Sequence, residues 1–148
     1  LDVINKVRRS GSIPQFIKDY NIDHGIIYSC VKNNVPMVLT GSIRDDGPMP
    51  EVIASAYEGQ SAMRNLVRRS TCVICLATML HTIATGNMTP SFRVMPDGTI
   101  RPVYLYTVDA DEFVVNKLLD RGSLCATTVV TNVQDFITIV AKALKVIR

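Results

Sequence analysis

The chain has 148 residues, 47% hydrophobic and 20% charged, with 16 basic against 13 acidic side chains and a net charge of +3. That length and composition predict one globular domain able to bury a core, and they exclude a disordered chain. The basic residues fall in small groups (Arg8-Arg9, Arg64, Arg68-Arg69, and Lys142, Lys145, Arg148) with only Phe92, Tyr104 and Tyr106 to interleave, a pattern of solvated helix faces rather than of a nucleic-acid surface.

The first 33 residues read as helical, in two or three pieces. Leu1, Ile4 and Val7 share a face, and Ser10-Gly11 ends that piece. Ser12 caps the next, with Ile13, Phe16, Ile17 and Tyr20 as its apolar stripe. Asp23 is expected to cap a third through Ile26, Ile27, Cys30 and Val31, ending at Asn33-Asn34. Residues 35–40 predict a strand, apolar on both faces as in a parallel sheet covered from both sides. It stops at Gly41, where a compact polar cluster begins. Pro50 and Glu51 are expected to open the longest helix, to about Arg69, with Ile53, Ala56, Tyr57, Gln60, Met63 and Val67 at three- and four-residue intervals.

Residues 71–77 form the second expected strand. Residues 78–88 hold a short helix containing His81, which Gly86-Asn87 is expected to break. Segments 92–95 and 100–102 flank Pro96-Asp97-Gly98-Thr99, and Asp97-Gly98 signals a hairpin. Residues 103–108 make a third parallel strand ending at Asp109. Asp111 then caps a helix through Phe113, Val114, Lys117, Leu118 and Arg121, closed by Gly122. Residues 125–131 form a fourth strand, and Asn132 caps the last helix. Strands alternating with helices predict an α/β fold with a mainly parallel sheet.

No apolar stretch approaches the roughly 18–20 residues of a membrane span, and no signal peptide is visible, so no membrane partner and a cytoplasmic setting are expected. The chain opens without an initiating Met. We expect it to be the C-terminal portion of a longer chain, whose preceding segment holds part of any site found here. Cys30, Cys72, Cys75 and Cys125 suggest metal or disulfide chemistry, yet only Cys72-Val73-Ile74-Cys75 has CxxC spacing and nothing completes a zinc set. Residues three apart on a strand point to opposite faces, so buried reduced cysteines and no metal are expected.

In a parallel sheet the loops at 41–50, 78–88, 109–112 and 131–132 share one edge, where open α/β sheets bind ligands. Gly41-Ser42-Ile43-Arg44-Asp45-Asp46-Gly47 offers Arg44 to an anion and Asp45 or Asp46 to an amine or a proton, or else it is a tight loop in which Arg44 pairs with an aspartate. Asp109, directly after an apolar strand, is placed for an adenosine ribose, or it is an ordinary helix-start aspartate. His81, with Thr78, Thr82, Gly86 and Asn87 nearby, is a proton carrier or cofactor contact, or else a structural histidine. No G-x-G-x-x-G occurs.

Taken together, these strings closely resemble one family. They are Val35-Pro36 through Gly41-Ser42-Ile43-Arg44-Asp45-Asp46-Gly47-Pro48, Ala77-Thr78-Met79-Leu80-His81-Thr82-Ile83-Ala84-Thr85-Gly86-Asn87-Met88, and Val115-Asn116-Lys117-Leu118 with Asp120-Arg121-Gly122-Ser123. The family is the LOR/SDH bifunctional domain, found as archaeal ornithine cyclodeaminase and as the C-terminal region of cyanobacterial arginine dihydrolase/ornithine cyclodeaminase. The resemblance spans residues 11–136. It implies a Rossmann-like fold akin to deoxyhypusine synthase, with helices on both faces of the sheet, NAD as cofactor, and conversion of L-ornithine to L-proline with release of ammonia. It also implies Arg44 and Ser42 as substrate-binding residues and Asp45, Asp46 and His81 as catalytic ones. Gly41, Thr78, Gly86, Asn87 and Asp109 are the implied cofactor contacts. The implied partners are an amino-acid substrate, the N-terminal remainder of the parent chain, and further copies in a homo-oligomer.

There are two departures from the family pattern. Family members follow the ribose aspartate with Ile-Asn-Pro, whereas Asp109 is followed by Ala110-Asp111-Glu112, whose added negative charge disfavours an NADP 2′-phosphate. The 96–102 hairpin is also longer than in the shorter archaeal members. The resemblance leaves a second class open, a non-catalytic module that binds NAD or an amino acid and regulates a partner domain. A deoxyhypusine-synthase-like transferase ranks last, because neither Lys32 nor Lys117 stands at the ligand edge.

Overall fold

A computed structural model describes residues 2–41, 49–119 and 124–147. The chain folds as two compact units, residues 1–63 and 64–148.

The first unit opens with three short helices, α1 (Asp2–Ser10), α2 (Ile13–Asp19) and α3 (Ile26–Lys32). Ser12 caps α2 as expected, its hydroxyl accepting the Gln15 N–H at 3.2 Å. Asp23 does not cap α3. Its carboxylate pairs with His24 Nδ1 at 2.6 Å, and Gly25, at φ +100°, takes the cap position without a side-chain bond. Val7 and Ile13 are the buried apolar residues of this unit.

The expected strand at 35–40 shrinks to β1 (Leu39–Thr40), and the helix expected from Pro50 is replaced at its start by a second strand, β2 (Val52–Ile53), parallel to β1. Glu51 sits at φ +68°, a left-handed conformation that no helix interior accepts, so the chain turns at Pro50-Glu51 before it enters β2. Helix α4 (Ala56–Val67) starts only after Ser55, whose hydroxyl accepts the Glu58 N–H at 3.4 Å. Ser55-Ala56-Tyr57-Glu58 is a capping-box sequence, the signal that marks the true start. With the start moved, Tyr57 is 83% exposed rather than part of an apolar stripe. Gly59 is buried where α4 crosses the two strands. A Cβ there would lie 2.7 Å from Thr40 Cγ2, and only glycine permits that approach.

The second unit is built on a three-stranded parallel sheet in the order β3 (Cys72–Leu76), β6 (Tyr104–Asp109), β7 (Ala126–Val130). Three of the four strands expected to form one parallel sheet are in it; β1 pairs with β2 instead. Helix α5 (Met79–Met88) and the hairpin β4 (Phe92–Val94) and β5 (Ile100–Pro102) link β3 to β6, and α6 (Glu112–Leu119) links β6 to β7. The chain continues into α7 (Val133–Ala143), which packs against β6. The hairpin turns as its sequence predicts, with Gly98 at φ +81° and Asp97 Oδ1 accepting the Thr99 N–H at 3.0 Å. Asp111 and Asn132 cap α6 and α7 as expected, accepting the Phe113 N–H at 2.9 Å and the Gln134 N–H at 2.8 Å. The expected closure by Gly122 lies outside the described residues.

Register places Val73, Leu105 and Ala126 in one row across the sheet, and Cys75, Thr107 and Thr128 in the next. These rows share a face, because side chains two apart along a strand point the same way. Leu105 is 1% exposed and Thr107 2%. Val103 and Val115 are fully buried in the same unit. The opposite face is only partly covered, for Ile74 and Tyr104 are each 46% exposed. Cys72 lies on that side and is exposed while Cys75 is buried, so the two thiols diverge as strand geometry requires, but only one is a core residue.

Thr107 Oγ1 has no hydrogen-bond partner among the described residues. A buried hydroxyl in that state carries its desolvation cost without return. Thr107→Val, which keeps the shape and removes the hydroxyl, is therefore expected to raise stability by about 1 kcal/mol. A higher denaturation midpoint is the check, and a lower one would mean that the hydroxyl is engaged.

Candidate active site

All three strands of the parallel sheet end along one edge, at Leu76, Asp109 and Val130. The loops that leave them are tied together through the backbone. The Ala77 N–H donates to the Val108 carbonyl at 3.0 Å, and the Thr131 N–H donates to the Asp109 carbonyl at 2.9 Å. Ala77 adopts φ +52°, an unusual conformation for a residue with a Cβ, and it turns the chain sharply from β3 into α5. This is the turn that a glycine-rich motif makes in other doubly wound sheets. Here an alanine makes it, held by the cross-strand bond, and no sequence motif marks it.

Thr78 is the N-cap of α5, extended at φ −153°, but its side chain makes no capping bond. Its hydroxyl instead meets His81 Nδ1 at 2.9 Å. A threonine at this position ordinarily accepts a backbone N–H three residues on. By engaging the imidazole it leaves the first-turn N–H groups without a side-chain partner, which is the condition for binding an anion at a helix start. His81 is exposed at this edge. Beneath it the Thr82 hydroxyl donates to the Thr78 carbonyl, and Thr82 is 3% exposed.

Asp109 ends β6 half-buried, next to the Ala77 turn. Its Oδ1 accepts the Asp111 N–H at 3.0 Å, which fixes the carboxylate and leaves Oδ2 for another donor. Asp111 and Glu112 are exposed immediately beyond, so this corner of the edge is strongly acidic. An added phosphate would meet like charge there.

The structure pairs Thr78 with His81 and places Asp109 at the end of the neighbouring strand, on the same edge. Gly86 and Asn87 lie elsewhere. Neither breaks α5, which continues to Met88 and stops at Thr89, ahead of Pro90. Gly86 is buried, and both residues sit about 12 Å along the helix from its start. Gly41, in the first unit, extends the β1–β2 pairing by donating its N–H to the Ile53 carbonyl at 3.0 Å. Ser42, Arg44, Asp45 and Asp46 lie outside the described residues. Among the described residues no three His, Cys, Asp or Glu side chains cluster as metal ligands would. A cleft of about 310 Å³ lined by Thr71, Cys72, Arg101, Pro102 and Tyr104 opens where β3 and β6 begin, at the other end of the strands from this chemistry.

The edge presents an uncapped helix start, a feature that binds pyrophosphates in dinucleotide folds, and an acidic residue at the end of the central strand, where such folds hold a ribose. No helix among the described residues is long and apolar enough to cross a membrane.

Residues 1–140 match the family model described as arginine dihydrolase ArgZ-like, C-terminal, Rossmann fold. Ornithine cyclodeaminase from Methanothermobacter thermautotrophicus is 46% identical over 145 residues, which is 98% of this chain and 33% of that protein. The crystal structure of a conserved LOR/SDH protein from Methanococcus maripaludis S2 superposes with a TM-score of 0.82 at 40% identity, over 96% of this chain and 39% of that one. AgrE in its ternary complex with ornithine and NAD+ gives a TM-score of 0.81 at 38% identity, over 96% of this chain and 19% of AgrE. The chain therefore spans about a third of the archaeal enzyme's length and about a fifth of AgrE's.

Proposed function

Because the chain belongs to the arginine dihydrolase ArgZ-like C-terminal Rossmann-fold family, we propose that it forms part of an NAD-dependent ornithine cyclodeaminase converting L-ornithine to L-proline and ammonia. The observation that carries this reading is the Thr78–His81 pair on the sheet edge where the central strand ends at Asp109. Support comes from the 46% identity to an ornithine cyclodeaminase and from the likeness to AgrE, which was crystallised with ornithine and NAD+.

NAD+, when bound, supplies the acceptor and later the donor of a hydride at the amine-bearing carbon. The chain's own residues hold and poise the reactants. The Asp109 carboxylate takes the ribose hydroxyls, and the N–H groups at the start of α5 take the pyrophosphate. Gly41, Gly86 and Asn87 are further cofactor contacts of the same proposal. Arg44 pairs with the substrate α-carboxylate, Ser42 donates beside it, and Asp45 and Asp46 bind the δ-ammonium and accept its proton before ring closure. His81, with Nδ1 engaged by Thr78, exchanges protons through Nε2. The remainder of a longer parent chain and a homo-oligomeric, cytoplasmic enzyme belong to the same proposal.

The test is to incubate the full-length protein with NAD+ and α-15N-ornithine. Labelled ammonia with unlabelled proline is expected. Asp45→Asn and Asp46→Asn should each lower turnover more than about tenfold with little loss of stability. NAD+ binding with no turnover in the unmodified protein would assign a regulatory module instead.

A further inference from the structure

Side-chain bonds from threonine to the carbonyl four residues back are ordinary in helices. Thr89 makes one to Thr85 at 2.8 Å and Thr138 one to Gln134 at 2.7 Å. The bond from Thr82 to Thr78 differs in two respects. Thr82 is 3% exposed, and its acceptor is the residue whose hydroxyl meets His81. It holds the first turn of α5 directly after the Ala77 turn.

We propose that Thr82 is a positioning residue for His81, holding the Thr78–His81 pair in one geometry by clamping the Thr78 carbonyl. Helix starts fray, and an exposed histidine one turn into α5 would otherwise sample several rotamers. The clamp removes that freedom without touching any ligand. The inference rests on reading His81 as a proton-exchange group, but its geometry does not depend on substrate.

The test is therefore made on the full chain without substrate, by 15N spectroscopy of labelled histidine, with His24 as the internal control. The His81 tautomer ratio is set by the Thr78 hydroxyl. In Thr82→Val it should relax by about threefold toward that of free imidazole, the equivalent of losing a weak net hydrogen bond. Thr82→Ser, which retains the hydroxyl, should restore the wild-type ratio, and His24 should not change in any variant. Thr82→Ala, which also removes the hydroxyl, should shift the ratio in the same direction. A His81 spectrum unchanged in a folded Thr82→Val overturns the assignment. Should that variant fail to fold, an unchanged spectrum in Thr82→Ala does so instead.

Discussion

In the full-length protein, His81→Asn is expected to lower kcat for ornithine turnover by about a hundredfold or more while leaving the denaturation midpoint almost unmoved. Asparagine is short, polar and able to meet the Thr78 hydroxyl, so the local contact of His81 Nδ1 survives. What it lacks is a group that takes and returns a proton near neutral pH. His81 is exposed and no core packing depends on it, which limits the stability change to roughly 0.5 kcal/mol. Steady-state kinetics beside thermal denaturation separate the two effects. A variant with wild-type kcat would remove His81 from the chemistry and leave Asp45 and Asp46 as the proton-transfer candidates.

The largest loss of stability is expected from Leu105→Ala. Leu105 is 1% exposed on β6, the central strand, between Val73 on β3 and Ala126 on β7. One neighbour in its row is already small, so the sheet has little with which to fill the space left by the side chain. Truncation should cost about 3 kcal/mol, the transfer term plus that of a cavity. For a chain of this size that lowers the midpoint by roughly 10 °C. Denaturant titration followed by far-ultraviolet circular dichroism would measure it, and a loss below about 1 kcal/mol would mean that the row collapses onto the gap. Because β6 carries Asp109 at its end, the same variant should also weaken NAD+ binding.

The elements that the sequence determined by itself are those whose stabilising bonds close within a few residues. Ser12, Asp111 and Asn132 cap their helices because each carboxylate, amide or hydroxyl reaches a backbone N–H two or three positions on. Asp97-Gly98 turns its hairpin for the same reason. The apolar runs that became β3, β6 and β7, and the family to which the chain belongs, were equally legible, since continuous β-branched runs suit strands buried in a parallel sheet.

The pairing of β1 with β2 was not legible, because it joins residues twelve or more positions apart across a polar stretch of sequence and depends on Glu51 adopting a left-handed conformation. Periodicity alone ran the helix back through Val52 and Ile53, and only the pairing took those residues out of it. Gly86-Asn87 looked like a break, but Gly86 is buried and the helix ends instead at Thr89, before Pro90. At the candidate site the sequence supplied His81, Thr78 and Asp109 as separate residues, each open to a structural reading as well as a functional one. The tertiary structure decided that they share one edge. Cross-strand bonds from Ala77 and Thr131 gather three distant loops there. Long-range contacts of this kind form only when the sheet assembles, so neither spacing nor composition encodes them locally.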